Sequence, residues 1–169
     1  MPKIKEVTRK KDAIRKIFEE VSLGAPENAV GFVIWRIVMR YQREVDRALD
    51  VCNLTNLQFI TLAQVAWFGR EDKLATQVDL ARWSGIHPMQ VSQTLKALER
   101  KKMVTRRRSQ SDTRAKRAEI TAIGLHTLRD AMPRVIAVQY RLFGEAGRPG
   151  GALLERLLHL ESNVSENPT

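Results

Sequence analysis

Over most of this chain apolar residues recur at intervals of three and four, the spacing of one face of an α-helix. In DAIRKIFEEVSL, residues 12–23, Ile14, Ile17, Phe18 and Val21 share a side, and the GAP that follows ends the helix. The preceding MPKIKEVTRKK reads as a basic tail. From Glu27 a longer stripe runs through Val30, Val33, Ile34, Ile37, Val38, Tyr41 and Val45, with charges thickening only after Arg40, so its first half is expected to be buried on most sides. A third pattern begins at LTNLQFITL. Thr55 and Gln58 have capping-box spacing, and Leu54 and Phe59 have the spacing of a hydrophobic staple, two local devices that fix the same helix start.

Two shorter helices follow a connector at residues 70–76. Thr76 and Asp79 form a second capping pattern before VDLARWSG, a helix of about two turns. Gly85 and Ile86 then lead to HPMQVSQTLKALERKKMV, where Pro88 suits a first helical turn. Val91, Leu95 and Leu98 make an inward stripe, leaving Gln90, Gln93, Lys96 and Arg100 on a polar side that carries no acid. Residues 103–108 and 117–121 have β-compatible residues and read as a hairpin. Thr121 caps a long helix through Leu125, Leu128, Met132, Val135, Val138 and Leu142, with a kink expected at Pro133. After GRPGG, the segment ALLERLLHLE carries five leucines, more apolar surface than a lone terminal helix hides.

Charge narrows the class of partner. Lys and Arg number 29 against 19 Asp and Glu, a net charge of +10, which points to a polyanion: nucleic acid first, an acidic membrane surface second. In TRRRSQSDTRAKRAEIT, residues 105–121, six basic residues face two acids. The one cysteine, Cys52, cannot form an intramolecular disulfide, and no apolar run approaches the roughly 20 residues of a membrane span, so a reduced, cytoplasmic setting is expected. His87, His126 and His159 are far apart, and no Gly-rich phosphate loop, nucleophile elbow or carboxylate cluster occurs. Neither a metal, a cofactor nor an enzymatic activity is therefore expected.

Two short helices joined by a glycine-containing turn, then a basic hairpin, compose a helix-turn-helix with a wing. The expected fold is mainly α with a small β wing. The runs LTNLQFITL, QVDLARWSGIHPMQVSQTLKALERKKMVTR and SDTRAKRAEITAIG resemble the MarR family of dimeric winged-helix transcription regulators, from about Ala29 to the leucine-rich helix. The most specific part is Asp112, Arg114 and Lys116 followed by Ile120, Thr121 and Gly124. One departure stands at Lys102, where the family usually has the glycine that suits a left-handed position after a helix.

The resemblance implies a homodimer in which N- and C-terminal helices interleave and two recognition helices meet successive major grooves. It divides the chain into an arm (1–28), a dimerisation helix (29–54), the winged helix-turn-helix (55–121), C-terminal dimerisation helices (122–163) and a tail (164–169). Groove chemistry favours Gln93 and then Gln90 as base readers, with Met89 against a thymine methyl, Ser92 on phosphate or base, and Lys96 and Arg100 on the backbone. By the resemblance Arg114 enters the minor groove, held by Asp112. Arg106, Arg107, Arg108, Lys116 and Arg117 are then expected on phosphates. The same charge without base reading would make a sequence-indifferent architectural protein. Trp35, Trp67, Trp83, Met39 and Phe59 suit a core. The family's habit of binding small aromatic or phenolic effectors makes Trp35, Met39, Phe59 and Trp67 pocket candidates as well. Cys52 reads as a small buried thiol rather than a redox sensor.

Overall fold

A computed structural model describes residues 2–71, 74–108 and 116–166. Its elements are α1 (Pro2–Glu20), α2 (Val30–Leu49), α3 (Asn56–Gly69), β1 (Ala75–Thr76), α4 (Gln77–Ser84), α5 (Pro88–Arg100), β2 (Val104–Arg108), β3 (Lys116–Ile120), α6 (Ala122–Phe143) and α7 (Ala152–Glu166), with short 3-10 turns at Pro26–Asn28, Asp50–Cys52 and Glu145–Gly147. The chain divides into two compact units, residues 1–41 and 42–169.

In the first unit α1 reaches back to Pro2, so the segment read as a tail is helical. Lys, Glu, Arg and Ile are adequate helix formers, no glycine interrupts them, and proline at the first position gives up no intrahelical donor. The helix ends at Glu20; just beyond it the Ser22 hydroxyl donates to Phe18 O at 2.7 Å, and Gly24 takes the positive φ of 82° that turns the chain. Early in α2, the Phe32 and Trp35 rings stack 5.9 Å apart and Arg36 pairs with Glu27 at 3.3 Å. The expected burial of this half of α2 is not met within its own unit. Val30, Ile34, Trp35, Ile37 and Val38 are all exposed, because no other element of their own unit covers that stripe.

The second unit is built around α3, α4 and α5 with a three-stranded antiparallel sheet in the order β1-β3-β2. Leu62, Leu80, Val91, Leu98 and Val104 are fully or almost fully buried at their junction, each contributing about 1.5–3 kcal/mol by leaving water. Both capping boxes form: Thr55 with Gln58 opens α3, and Thr76 with Asp79 opens α4. Leu54 and Phe59 are buried beside the first, as a staple requires. In the hairpin Val104 faces Ile120 and Arg108 faces Lys116, and β1 adds through Ala75 opposite Ala118. Arg141 donates to Glu44 at 2.7 Å, joining α6 to the end of α2. Helix α6 runs through Pro133 without a break, and α7 extends to Glu166, past the boundary expected at residue 163.

Candidate nucleic-acid interface

Helix α5 is held at both ends. At its start His87 is the N-cap, its Nδ1 accepting from the Met89 N–H at 3.2 Å, and Pro88 takes the first helical position. Gln77, in α4, donates from Nε2 to Pro88 O at 2.9 Å, while Gly85 at φ 67° makes the sharp turn between the two helices. At its end the Lys102 N–H donates to Glu99 O at 2.9 Å and the Met103 N–H to Leu98 O at 3.0 Å, the paired bonds of a Schellman motif. Lys102 itself sits at φ 59°. The lysine thus adopts the left-handed geometry for which glycine is the usual residue, and the turn is retained.

Three further bonds fix this end of α5 to its surroundings. Lys101 Nζ donates to Asn53 O and, at 2.8 Å, to Gln58 Oε1, reaching the capping box of α3. Burial holds the Lys101 pKa below the ordinary lysine value. The Thr121 hydroxyl donates to Lys102 O at 2.7 Å while accepting from the Gly124 N–H at 3.1 Å, so one side chain ties the recognition helix to the start of α6. A methyl at Gly124 would lie 2.1 Å from Met103 O, and the close approach of these two segments excludes any side chain there.

Between these anchors α5 buries Val91, Thr94, Leu95 and Leu98 and presents the opposite side to solvent. Gln90, Gln93, Lys96 and Arg100 are exposed, Met89 is 64% exposed, and Ser92 is half-buried at the edge. This six-residue surface carries two cations and no acid.

The wing is more differentiated than its charge suggests. Arg106, expected among the phosphate ligands, turns back to α5, where its Nε donates to Glu99 Oε2 at 2.8 Å and its Nη2 bonds the same oxygen. Its side chain is only 14% exposed. A guanidinium committed in this way positions β2 against the recognition helix. Arg107 is exposed and makes a loose pair with Glu119 at 3.7 Å, worth little in water. Arg117 is half-buried opposite Thr76 of β1, and its charge is one of the influences that lower the Asp79 pKa, after the hydrogen bonds from Thr76. Arg108 and Lys116 close the hairpin as a register pair. Asp112 and Arg114 lie outside the described residues.

The aromatic candidates stand apart in environment. Phe59 is buried in the winged-helix core, whereas Trp67 is exposed, with the Arg70 guanidinium carbon 3.3 Å from its ring centroid, a cation–π stack. Trp83, expected in the core, is exposed too, and meets Phe68 edge-on at 6.3 Å between centroids. Trp35 is exposed and Met39 half-buried within the first unit. Cys52 is a half-buried free thiol in the 3-10 turn before α3. Among the described residues no group of His, Cys, Asp and Glu is placed to hold a metal ion, and no helix is long and apolar enough to cross a membrane.

The strand β1, the Lys101 clamp and the Glu99–Arg106 pair escape a reading of periodicity. Two residues of strand carry no period, and the two side-chain links depend on turns that bring separate elements together. The unbroken charge of Arg106, Arg107 and Arg108 gives no sign that one of the three faces inward.

A short helix, a glycine turn, an exposed polar helix and a basic antiparallel hairpin define a winged helix-turn-helix protein. The pattern of the MarR family matches residues 53–115. The HTH-type transcriptional regulator YdcH of Bacillus subtilis (strain 168) is 30% identical over 123 residues, covering 73% of this chain and 84% of YdcH. The chain belongs to the MarR family of transcriptional regulators. Among solved structures, the M. tuberculosis regulator MosR in complex with DNA is similar at 26% identity and a TM-score of 0.65, over 82% of this chain and 96% of that one. CouR from Rhodococcus jostii RHA1, bound to p-coumaroyl-CoA, shares the fold at 24% identity and a TM-score of 0.69, over 86% of this chain and 96% of that one.

Proposed function

We propose that the protein is a homodimeric, sequence-specific DNA-binding repressor that acts on a palindromic operator. The single observation that carries this reading is the acid-free exposed face of α5, fixed at both ends and flanked by a cationic wing. A helix of this width fits the major groove, where each base pair presents a distinct set of donors and acceptors. Gln93 and Gln90 supply amides able to donate and accept together, Met89 offers an apolar contact to a thymine methyl, and Ser92, Lys96 and Arg100 serve backbone or base edges. Arg107, Arg108, Lys116 and Arg117 neutralise phosphates, and Arg114, supported by Asp112, takes the minor groove. Arg106 is assigned to positioning the wing.

Dimerisation is supported by the apolar surface the chain leaves uncovered. Helix α6 carries an open groove of about 640 Å³ lined by Leu125, Met132, Pro133, Ile136 and Tyr140, and Leu157, Leu158 and Leu160 of α7 are exposed. Two copies related by a two-fold axis would cover such faces mutually and set two recognition helices about one helical turn of DNA apart. A small aromatic effector, with Trp35, Met39, Phe59 and Trp67 as candidate contacts, would release DNA only by binding the two spacings of those helices unequally. CouR, which shares the fold, is bound to p-coumaroyl-CoA, whose acyl group is a phenol carried on a much larger coenzyme A; the phenolic part alone supports the aromatic reading.

Selection of duplexes from a random pool tests the reading. An inverted repeat with half-sites about 10 base pairs apart is expected. Recovery of unrelated sequences, with a specificity ratio near one against random DNA, would replace it with sequence-indifferent binding. Transcription in vitro from a promoter carrying the selected site then separates repression from activation.

A further inference from the structure

Helix α1 has no part in the winged helix, and its charges run against its own stability. The N-terminus of a helix is its positive end and the C-terminus its negative end, so acids belong early and bases late. Here the first turn carries no acid and the last turn no base. Lys3 and Lys5 open the segment, with Glu6 as the one acid before Arg9, Lys10 and Lys11; Asp12 follows them, and Glu19 and Glu20 close it. Among the described residues Arg15 is paired locally, with Asp12 at 3.8 Å and Glu19 at 3.6 Å. Among the described residues Arg9, Lys10, Lys11 and Lys16 are exposed and have no ion-pair partner. A cationic half-helix of this polarity is stabilised by an anion outside the chain.

The arrangement discriminates between anionic surfaces. A helix that lies on a membrane needs a continuous apolar face with its cations confined to the other side. At about 100° per residue, Arg9, Lys10 and Lys11 fan over about 200° of the circumference. Lys10 falls between Val7 and Ile14, at i+3 of one and i−4 of the other, and interrupts the apolar stripe. The cations therefore spread over more than half the circumference of the N-terminal half and break into its apolar side, which suits the phosphates of a duplex rather than a lipid plane.

We infer that α1 is a second DNA-binding element, an arm whose Arg9, Lys10, Lys11 and Lys16 engage backbone phosphates of the same duplex that α5 reads, adding affinity without sequence preference. This rests on the DNA-binding reading above. The order of charge also couples the two events: phosphates neutralise the cations at the positive end of α1, so DNA increases the helicity of the arm.

The experiment compares the unaltered chain with a variant carrying Arg9→Gln, Lys10→Gln, Lys11→Gln and Lys16→Gln, substitutions that keep helix propensity. Binding to the selected duplex is titrated against salt, and amide exchange of residues 7–20 is measured with and without DNA. The slope of log affinity against log salt should become shallower by about 0.9 for each phosphate that the variant leaves unneutralised, with the ranking of binding sites unchanged. In the unaltered chain DNA should slow exchange in α1, and Arg9→Lys should retain the slope. An unchanged slope in the glutamine variant overturns the arm while leaving the DNA-binding reading intact. So does a variant that loses sequence ranking together with affinity, which would assign α1 to folding or assembly. Binding of the unaltered chain to vesicles of one anionic to three neutral lipids, abolished in the variant while the DNA slope is unmoved, overturns it in favour of a membrane. Failure of the unaltered chain to bind any duplex defeats the reading beneath it instead.

Discussion

Arg106 of β2 and Glu99 of α5 are joined through two donors of one guanidinium on a single carboxylate oxygen, a link between wing and recognition helix made inside the protein rather than to DNA. It separates two neighbouring arginines that look alike in the sequence. Arg107→Gln should remove a phosphate ligand, lowering affinity on all duplexes and reducing the salt slope by about 0.9. Arg106→Gln should leave the slope unchanged and lower stability by about 1–2 kcal/mol, since it strands a part-buried carboxylate. Equal slope changes in both variants would return Arg106 to the phosphate-binding set.

Lys102 provides a substitution expected to stabilise. A side chain at φ 59° carries a steric cost that glycine avoids, so Lys102→Gly should gain about 1 kcal/mol, or about 2–4 °C in Tm for a chain of this size. The Schellman bonds to Leu98 and Glu99 are made by backbone and persist. Thermal melting checks this, and a lower Tm would mean that the lysine side chain makes an interaction outweighing the strain.

The local devices are legible in the sequence because each is written within a few residues. Thr55 with Gln58, Thr76 with Asp79, Pro88 and Thr121 all cap where their spacing places them, and the buried stripe of α5 follows directly from its period. What escapes depends on distant partners or on neighbours outside the chain. β1 exists only because β3 pairs with it. The first half of α2 has the pattern of a buried helix but is exposed here, since an apolar stripe specifies that something will cover it and not what. The start of the arm reads as a tail because its charges suggest solvation, although its residues form a helix well enough.

The Thr76–Asp79 box gives stability a defined acid dependence. Hydrogen bonds from Thr76, side chain first and backbone second, hold the Asp79 carboxyl below its ordinary value. Because the folded pKa is depressed, the contribution is fully present above the unfolded value near 3.9 and is lost as pH falls through the folded one. Denaturant unfolding followed from pH 6 to pH 2 should show a decline that Asp79→Asn makes shallower in that window. Thr76→Ala should cost about 1 kcal/mol at neutral pH and flatten the same segment of the curve. A pH profile identical in all three proteins would mean that other carboxylates dominate.

Leu158 tests assembly through a contrast that the isolated chain makes sharp. It is 55% exposed, with Leu157 and Leu160 nearby on α7 also open to solvent. If solvent is its environment, Leu158→Glu changes stability by no more than about 0.5 kcal/mol. If a second copy covers it, the same change places an unpaired carboxylate in an apolar interface at a cost of several kcal/mol. The expected result is a monomer by sedimentation, a lowered and concentration-independent Tm, and retention of only half-site affinity on the selected duplex. The two recognition helices then act separately, so the inverted repeat should lose its advantage over a single half-site. An unaltered mass and an unaltered preference for the repeat would move the contact between copies away from α7, leaving the open groove of α6 and the exposed stripe of α2 as the surfaces to test next.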